Sequence, residues 1–167
     1  MTNVNNQRPL YERPILETAF YPSYKHLIQN DQYEEWGGYT TLASFASEGQ
    51  EYFSVRNACG VYDICPMLKY RISGSDAERF LNRLMTRNIK KMLPDRVVYC
   101  VWCDDNGHLI EDGTLFKFSE TEFRLCCAEH QIEWLLDSAI GYDVDIEDVS
   151  TDIAALAAQG PVSCSVL

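Results

Sequence analysis

Hydrophobic and polar positions along this chain follow two different periods, and the switches between them mark out its elements. The sharpest signal is helical. Ala77, Phe80, Leu81, Leu84 and Met85 recur at i, i+3, i+4, i+7 and i+8, the spacing that lines one face of an α-helix. Ser75 and Glu78 precede that stripe with the spacing of a capping box, in which each side chain satisfies the other's orphan backbone N–H. A second helix is expected over residues 129–139, with Ile132, Leu135, Leu136 and Ala139 on one face and Gly141 as its stop. A shorter one is expected over 48–57, ended near Gly60.

Strand-like alternation predicts strands at 68–72, 97–103, 109–110, 114–118, 123–127, 144–149 and 153–157. Asp104-Asp105-Asn106-Gly107 separates two of them, and Asn-Gly between strand-like runs signals a hairpin. Residues 119–122 supply the next turn. This order predicts an α+β fold, a largely antiparallel sheet with helices packed on one side. Residues 1–30 show neither period and carry Pro9, Pro14 and Pro22, which interrupt helices. They read as an extended N-terminal arm with Tyr11, Phe20, Tyr21 and Tyr24 as anchors, and residues 31–167 as the body. Glu34-Glu35-Trp36-Gly37-Gly38 reads as a loop with one large aromatic. Gly160-Pro161 turns the chain, and residues 163–167 open another element, so the chain is expected to be the front part of something longer.

Charge narrows the possible partners. Among 167 residues, 25 are acidic and 14 basic, a net charge of −11. There is then no overall positive field to displace counterions from phosphates, and nucleic acid is not an expected partner. No apolar run approaches the roughly 18 residues of a membrane helix. The segment from Met1 to Arg8 lacks the apolar centre of an export signal, so a cytoplasmic location away from membranes is expected. The seven cysteines are an odd number; without an export signal they are expected to be reduced, buried thiols. Cys100 and Cys103 form a CxxC inside a strand, where positions i and i+3 point to opposite faces, so no metal is expected there.

Candidate chemistry is sparse. Glu111-Asp112 interrupts an apolar strand pair. Adjacent acids on a strand face opposite ways, so only one can enter a given cleft. A carboxylate held against apolar walls has a raised pKa or needs a donor, and either makes it a plausible site residue; the other reading is a solvated strand end. His26, His108 and His130 share no ligand spacing. Tyr99, Trp102, Phe116 and Phe118 interleave with the central strands, either as core or with one face free to stack a flat ligand. Arg83, Arg87, Lys90, Lys91 and Arg96 read as a solvated helix end or as a contact for an anionic tail. Phosphate-loop, dinucleotide and zincin motifs are missing from the sequence.

The order of short motifs is more telling than any one of them. Arg56-Asn57-Ala58-Cys59-Gly60-Val61-Tyr62-Asp63-Ile64-Cys65-Pro66-Met67 is followed by Ile72-Ser73-Gly74-Ser75-Asp76-Ala77 with its helix, then by Leu84-Met85-Thr86-Arg87-Asn88. Val98-Tyr99, Asn106-Gly107-His108-Leu109-Ile110-Glu111-Asp112 and Ala158-Gln159-Gly160-Pro161 come next. This series, over residues 33–167, resembles the glycine cleavage T-protein (aminomethyltransferase) family, which includes tetrahydrofolate-dependent aminomethyltransferases and demethylase-type relatives. The resemblance implies the N-terminal half of a longer protein, with interwoven domains around a central folate hole.

It also implies roles. Asp112 matches the essential second acid of the family's pair, expected to be buried and to face a hollow able to admit a pterin. Tyr99, Met67, Glu111 and Phe116 fall at folate-pocket positions. The implied function is a tetrahydrofolate-dependent one-carbon transferase acting on a small-molecule donor, with the lipoyl H-protein as a further partner. The alternatives are a non-catalytic folate-binding or regulatory module, or an inactive fragment. Cys65-Pro66 replaces the T-protein's Ser-His, Glu111 replaces the first acid, Gly113 replaces a branched residue, and Cys127-Ala128 stands near the family's Asn-Ala. Thr86-Arg87-Asn88 is closer to the demethylase branches. These departures leave the donor open.

Overall fold

The computed structural model describes residues 16–167. They divide into two compact units: one built from the chain up to Pro66 together with Ala154–Leu167, the other from Met67–Ile153.

The second unit is built on a five-stranded antiparallel sheet. Its strands are β4 (Leu68–Ser73), β5 (Arg96–Cys103), β6 (Leu109–Lys117), β7 (Glu122–Cys127) and β8 (Asp145–Asp148), in the order β5-β6-β7-β4-β8. Alternation sorts their side chains. Tyr70, Ile72, Trp102, Leu115, Phe123 and Leu125 are all fully buried on one face. They share a core with Ala77, Phe80 and Leu81 of α3 (Ala77–Leu84) and with Leu135 of α4 (Ile132–Ser138). Each large apolar side chain withdrawn from water stabilises the fold by about 1.5–3 kcal/mol. The α+β architecture, antiparallel with helices on one side, is the one expected from the pattern.

Local chemistry differs in three places. The capping box does not form: the N-cap of α3 is Asp76, without a side-chain cap. Ser75 donates instead to Asp143 at 2.6 Å, and Glu78 takes the ammonium of Lys117 at 2.7 Å. Lys117 lies on the core face of β6 with its side chain 1% exposed, and a buried ammonium needs carboxylates more than a helix end needs a cap. The two short strands expected at 109–110 and 114–118 are one continuous strand. Gly113 between them is not a turn; a Cβ there would run into the Cys126 carbonyl, so the glycine permits close approach of β7. Helix α4 is shorter than residues 129–139, and just before it the Gln131 N–H donates to the Tyr70 hydroxyl at 3.0 Å.

In the first unit, β1 (Tyr33–Trp36) and β2 (Tyr39–Leu42) form a hairpin where a loop was expected. Gly37 and Gly38 have φ of 59° and 88°, the two positive values a tight hairpin turn demands. The expected arm is only partly described, and Tyr11, Pro9 and Pro14 lie outside the described residues. Pro22 does not break a helix but sits in the first turn of α1 (Tyr21–Tyr24), where its missing N–H costs nothing. Tyr24 is an anchor, donating to Asp63 at 3.2 Å and meeting the Phe45 ring edge-on at 5.5 Å.

Helix α2 (Glu48–Asn57) lies where expected, with Ser47 accepting the Gln50 N–H at 3.3 Å. Gly60 is not its stop but the first residue of β3 (Gly60–Asp63). That strand pairs antiparallel with β9 (Leu156–Gln159), which lies later than the strand expected at 153–157. A short α5 (Ser163–Val166) closes the described chain. No helix among the described residues is long and apolar enough to cross a membrane.

Candidate functional site

The five-stranded sheet has a second face, away from the core, and register determines which residues share it. Val101 pairs with Asp112, Tyr99 with Thr114, and Val97 with Phe116 on β5 and β6; Phe116 then pairs with Arg124 of β7. Tyr99, Asp112 and Phe116 therefore stand on one face, and the fold brings together three of the residues singled out from sequence. Glu111 pairs with Trp102 and lies on the core face, 9% exposed. Met67 is half-buried just before β4, two strands away from β6.

Asp112 is exposed, not buried. The expectation of one acid in and one out holds, but the buried member is Glu111. The reason is strand parity: Glu111 falls on the side that carries Leu115 and Trp102, and Asp112 on the other. The Asp112 carboxylate stands beside the Tyr99 hydroxyl. As hydrogen-bond acceptor and negative charge it raises that phenol above its ordinary pKa of 10.0. Arg87 donates to the Tyr99 carbonyl at 3.1 Å and so holds the outer strand at that residue. Phe116 stacks on Phe118, with ring centroids 6.4 Å apart and planes inclined by 13°. The face thus offers a carboxylate, a phenol and flat aromatic surface, groups able to hold a proton, donate a hydrogen bond and pack a planar ring.

A cavity of about 910 Å³ lies in the first unit, lined among others by Tyr24, Trp36, Phe45, Tyr62, Asp63 and Leu156. None of Met67, Tyr99, Glu111, Asp112 and Phe116 lines it. All seven cysteines are free thiols, but only Cys65, Cys100 and Cys127 are buried, and Cys164 is exposed. Burial pushes the Cys100 thiol up to about 11 and the Cys127 thiol up to about 12. Among the described residues no cluster of His, Cys, Asp or Glu is arranged to hold a metal ion.

The residue that sequence reasoning passed over on this face is Arg124. Its signal was available: a single cation within Phe123-Arg124-Leu125-Cys126-Cys127, an otherwise apolar run. In the fold it is half-buried, and its guanidinium lies 4.9 Å from the centre of the Phe118 ring.

Comparison with known proteins places this chain in a family. The family described as GCVT N-terminal domain matches residues 16–167. An aminomethyltransferase of Clostridium botulinum (strain 657 / Type Ba4) is 34% identical over 146 residues, 81% of this chain and 40% of that protein. One from Caldanaerobacter subterraneus subsp. tengcongensis is 34% identical over 163 residues, 95% of this chain and 40% of that protein. The fold is similar to the crystal structure of glycine cleavage system aminomethyltransferase T from Bartonella henselae. That likeness has a TM-score of 0.80 at 18% identity, over 92% of this chain and 43% of the other. The chain spans about 40% of the length of the curated relatives it matches. It belongs to the glycine cleavage T-protein (aminomethyltransferase) family and corresponds to its N-terminal portion.

Proposed function

We propose that this chain is part of a tetrahydrofolate-dependent one-carbon transferase, and that its contribution to the site is the sheet face carrying Asp112, Tyr99 and Phe116. Family membership supports the reaction class. The single observation that supports the location is the Asp112 carboxylate, exposed on that face beside the Tyr99 hydroxyl.

Tetrahydrofolate, when bound, supplies the nitrogen that receives the one-carbon unit. The chain's own residues supply the surroundings. Asp112 accepts a hydrogen bond or a proton and stabilises positive charge that develops next to it. Tyr99 donates to Asp112 or to the ligand, and so fixes the direction of the carboxylate. Phe116, backed by Phe118, gives a flat ring a surface to lie on. The donor is a small molecule carrying a transferable methyl or aminomethyl carbon, either free or lipoyl-bound.

The exposure of Asp112 also favours a second reading, in which these residues bind folate without turning it over, because a carboxylate in water stabilises developing charge far less than one in a dry site. One experiment separates the two. The intact protein is incubated with tetrahydrofolate and candidate donors, and 5-methyl or 5,10-methylene folate is quantified. Asp112→Asn should abolish product with the fold retained. Undiminished turnover in that variant overturns the catalytic role, and folate binding without product from any donor favours the binding module.

A further inference from the structure

Arg124 is placed where a cation is least at ease. Its strand β7 is the middle strand of the sheet, and its direct cross-strand partner on β4 is Arg71. Like charges facing each other across a strand pair repel. Arg71 is relieved from its other side, where its partner Glu147 on β8 takes the guanidinium at 2.6 Å. Arg124 has no such relief. Its other cross-strand neighbour is Phe116, no carboxylate among the described residues pairs with it, and its Nε is buried without a hydrogen-bond partner. Among the described residues, the ring of Phe118 at 4.9 Å is its charge-compensating contact. The positive charge of both Lys69 and Arg124 reaches the Cys126 thiol, which is on the same face. Among the described residues of this acidic chain, a guanidinium thus stands in mid-sheet without a carboxylate partner. Half-buried, hydrogen-bond-poor and next to another cation, it is a ready receptor for an anion of planar, forked geometry.

We propose that Arg124 is a specificity-determining residue: it receives a carboxylate on the ligand, whose flat ring rests on Phe116 and Phe118. This deepens the proposed function and rests on its reading that the ligand occupies the Asp112 face. Arg124 stands opposite Phe116, four residues along β6 from Asp112, which is about 13 Å at the rise of an antiparallel strand. The reacting carbon and the recognised carboxylate thus belong to opposite ends of the bound assembly. Such a carboxylate comes either from the tail of the folate or from an acidic one-carbon donor.

The test measures binding and needs no turnover. The intact protein, labelled with ¹⁵N-arginine, is titrated with p-aminobenzoyl-glutamate as a probe of the folate tail and with benzoate as a probe of an acidic donor. p-Aminobenzamide is the uncharged control. The expected result is a downfield shift of the Arg124 Nε–H with at least one carboxylate and none with the amide. Arg124→Gln should weaken that carboxylate roughly ten- to a hundredfold, and Arg124→Lys should restore the charge but only part of the affinity. Whichever probe responds identifies the source.

Equal binding of carboxylate and amide, no binding of either carboxylate, or unchanged affinity in Arg124→Gln overturns the proposal. Failure here with turnover still lost in Asp112→Asn leaves the transferase reading intact. A specific Arg124 response with no product from any donor defeats only that reading.

Discussion

The backbone N–H of Asp112 donates to Oε1 of Glu111 at 2.9 Å. Two acids adjacent in the chain are thereby tied to different tasks. β7 ends at Cys127, opposite Gly113, so no β7 residue stands opposite Asp112, and the Glu111 side chain accepts the Asp112 N–H. Glu111 positions the backbone from which the Asp112 carboxylate projects. Glu111→Ala should cost about 1–2 kcal/mol, the worth of a mostly buried, charge-assisted hydrogen bond, while Glu111→Gln, which keeps an acceptor oxygen, should cost less. Urea unfolding of the two variants gives the comparison, and equal losses would show that the hydrogen bond is not what matters.

Tyr99 reports on Asp112. The carboxylate raises the phenol's pKa above 10.0 by accepting a hydrogen bond from its hydroxyl and by its negative charge. Asp112→Asn removes the charge, so the Tyr99 phenolate should form at lower pH, close to the ordinary value. Difference ultraviolet titration against Tyr99→Phe isolates this hydroxyl from the other tyrosines. An unmoved titration would mean that the two side chains do not interact in solution.

Lys117 should be the costliest surface-independent charge to remove. Desolvation lowers its pKa, but hydrogen bonds to Glu120 and Glu78 outweigh that and leave it raised above 10.5. The same contact lowers Glu120 below 4.5. The signs set the window. A raised lysine stabilises fully below its ordinary value and loses that contribution as pH climbs through the folded one. A lowered glutamate stabilises fully above 4.5 and loses it as pH falls through its folded value. Lys117→Ala should therefore cost about 2–4 kcal/mol near neutral pH, with the gap to the parent protein closing in acid and in strong alkali. Denaturant unfolding across pH measures it.

Thiol reactivity should follow burial. Cys164 is exposed, whereas burial pushes Cys100 to about 11 and Cys127 to about 12, where almost no thiolate exists at pH 8. Iodoacetamide with peptide mass mapping should label Cys164 first and these two last. Early modification of Cys100 would contradict the packing beneath β5.

The extent to which this architecture could be read from sequence follows from where its forces originate. The stripe at Ala77, Phe80 and Leu81 and the alternation of β5 are local patterns set by burial, and they appear in the fold where expected. What misled was chemistry that only tertiary neighbours decide. Glu78 has the right spacing to cap its own helix, yet Lys117, 39 residues on, claims it. Gly113 has the look of a break until Cys126 is laid beside it. The Gly37-Gly38 hairpin, by contrast, is legible in sequence, since paired glycines between Trp36 and Tyr39 carry the turn's own signature. For the site, parity alone predicted that Glu111 and Asp112 would part company, but not which one the core would take.

The discontinuous make-up of the first unit has a consequence for how the polypeptide matures on the ribosome. β3 is synthesised long before its partner β9, so the earlier strand waits with an unpaired edge while Met67–Ile153 emerges. Once that stretch has folded, the Val149 N–H meets the Lys69 carbonyl at 2.9 Å, which brings its two ends side by side. The loop that must close for β3 to find β9 then shrinks from a long flexible tether to a short one, with a correspondingly smaller entropic barrier. Nascent chains halted before Leu156 should accordingly be the ones most exposed to proteases and chaperones, with vulnerability concentrated at their leading segment.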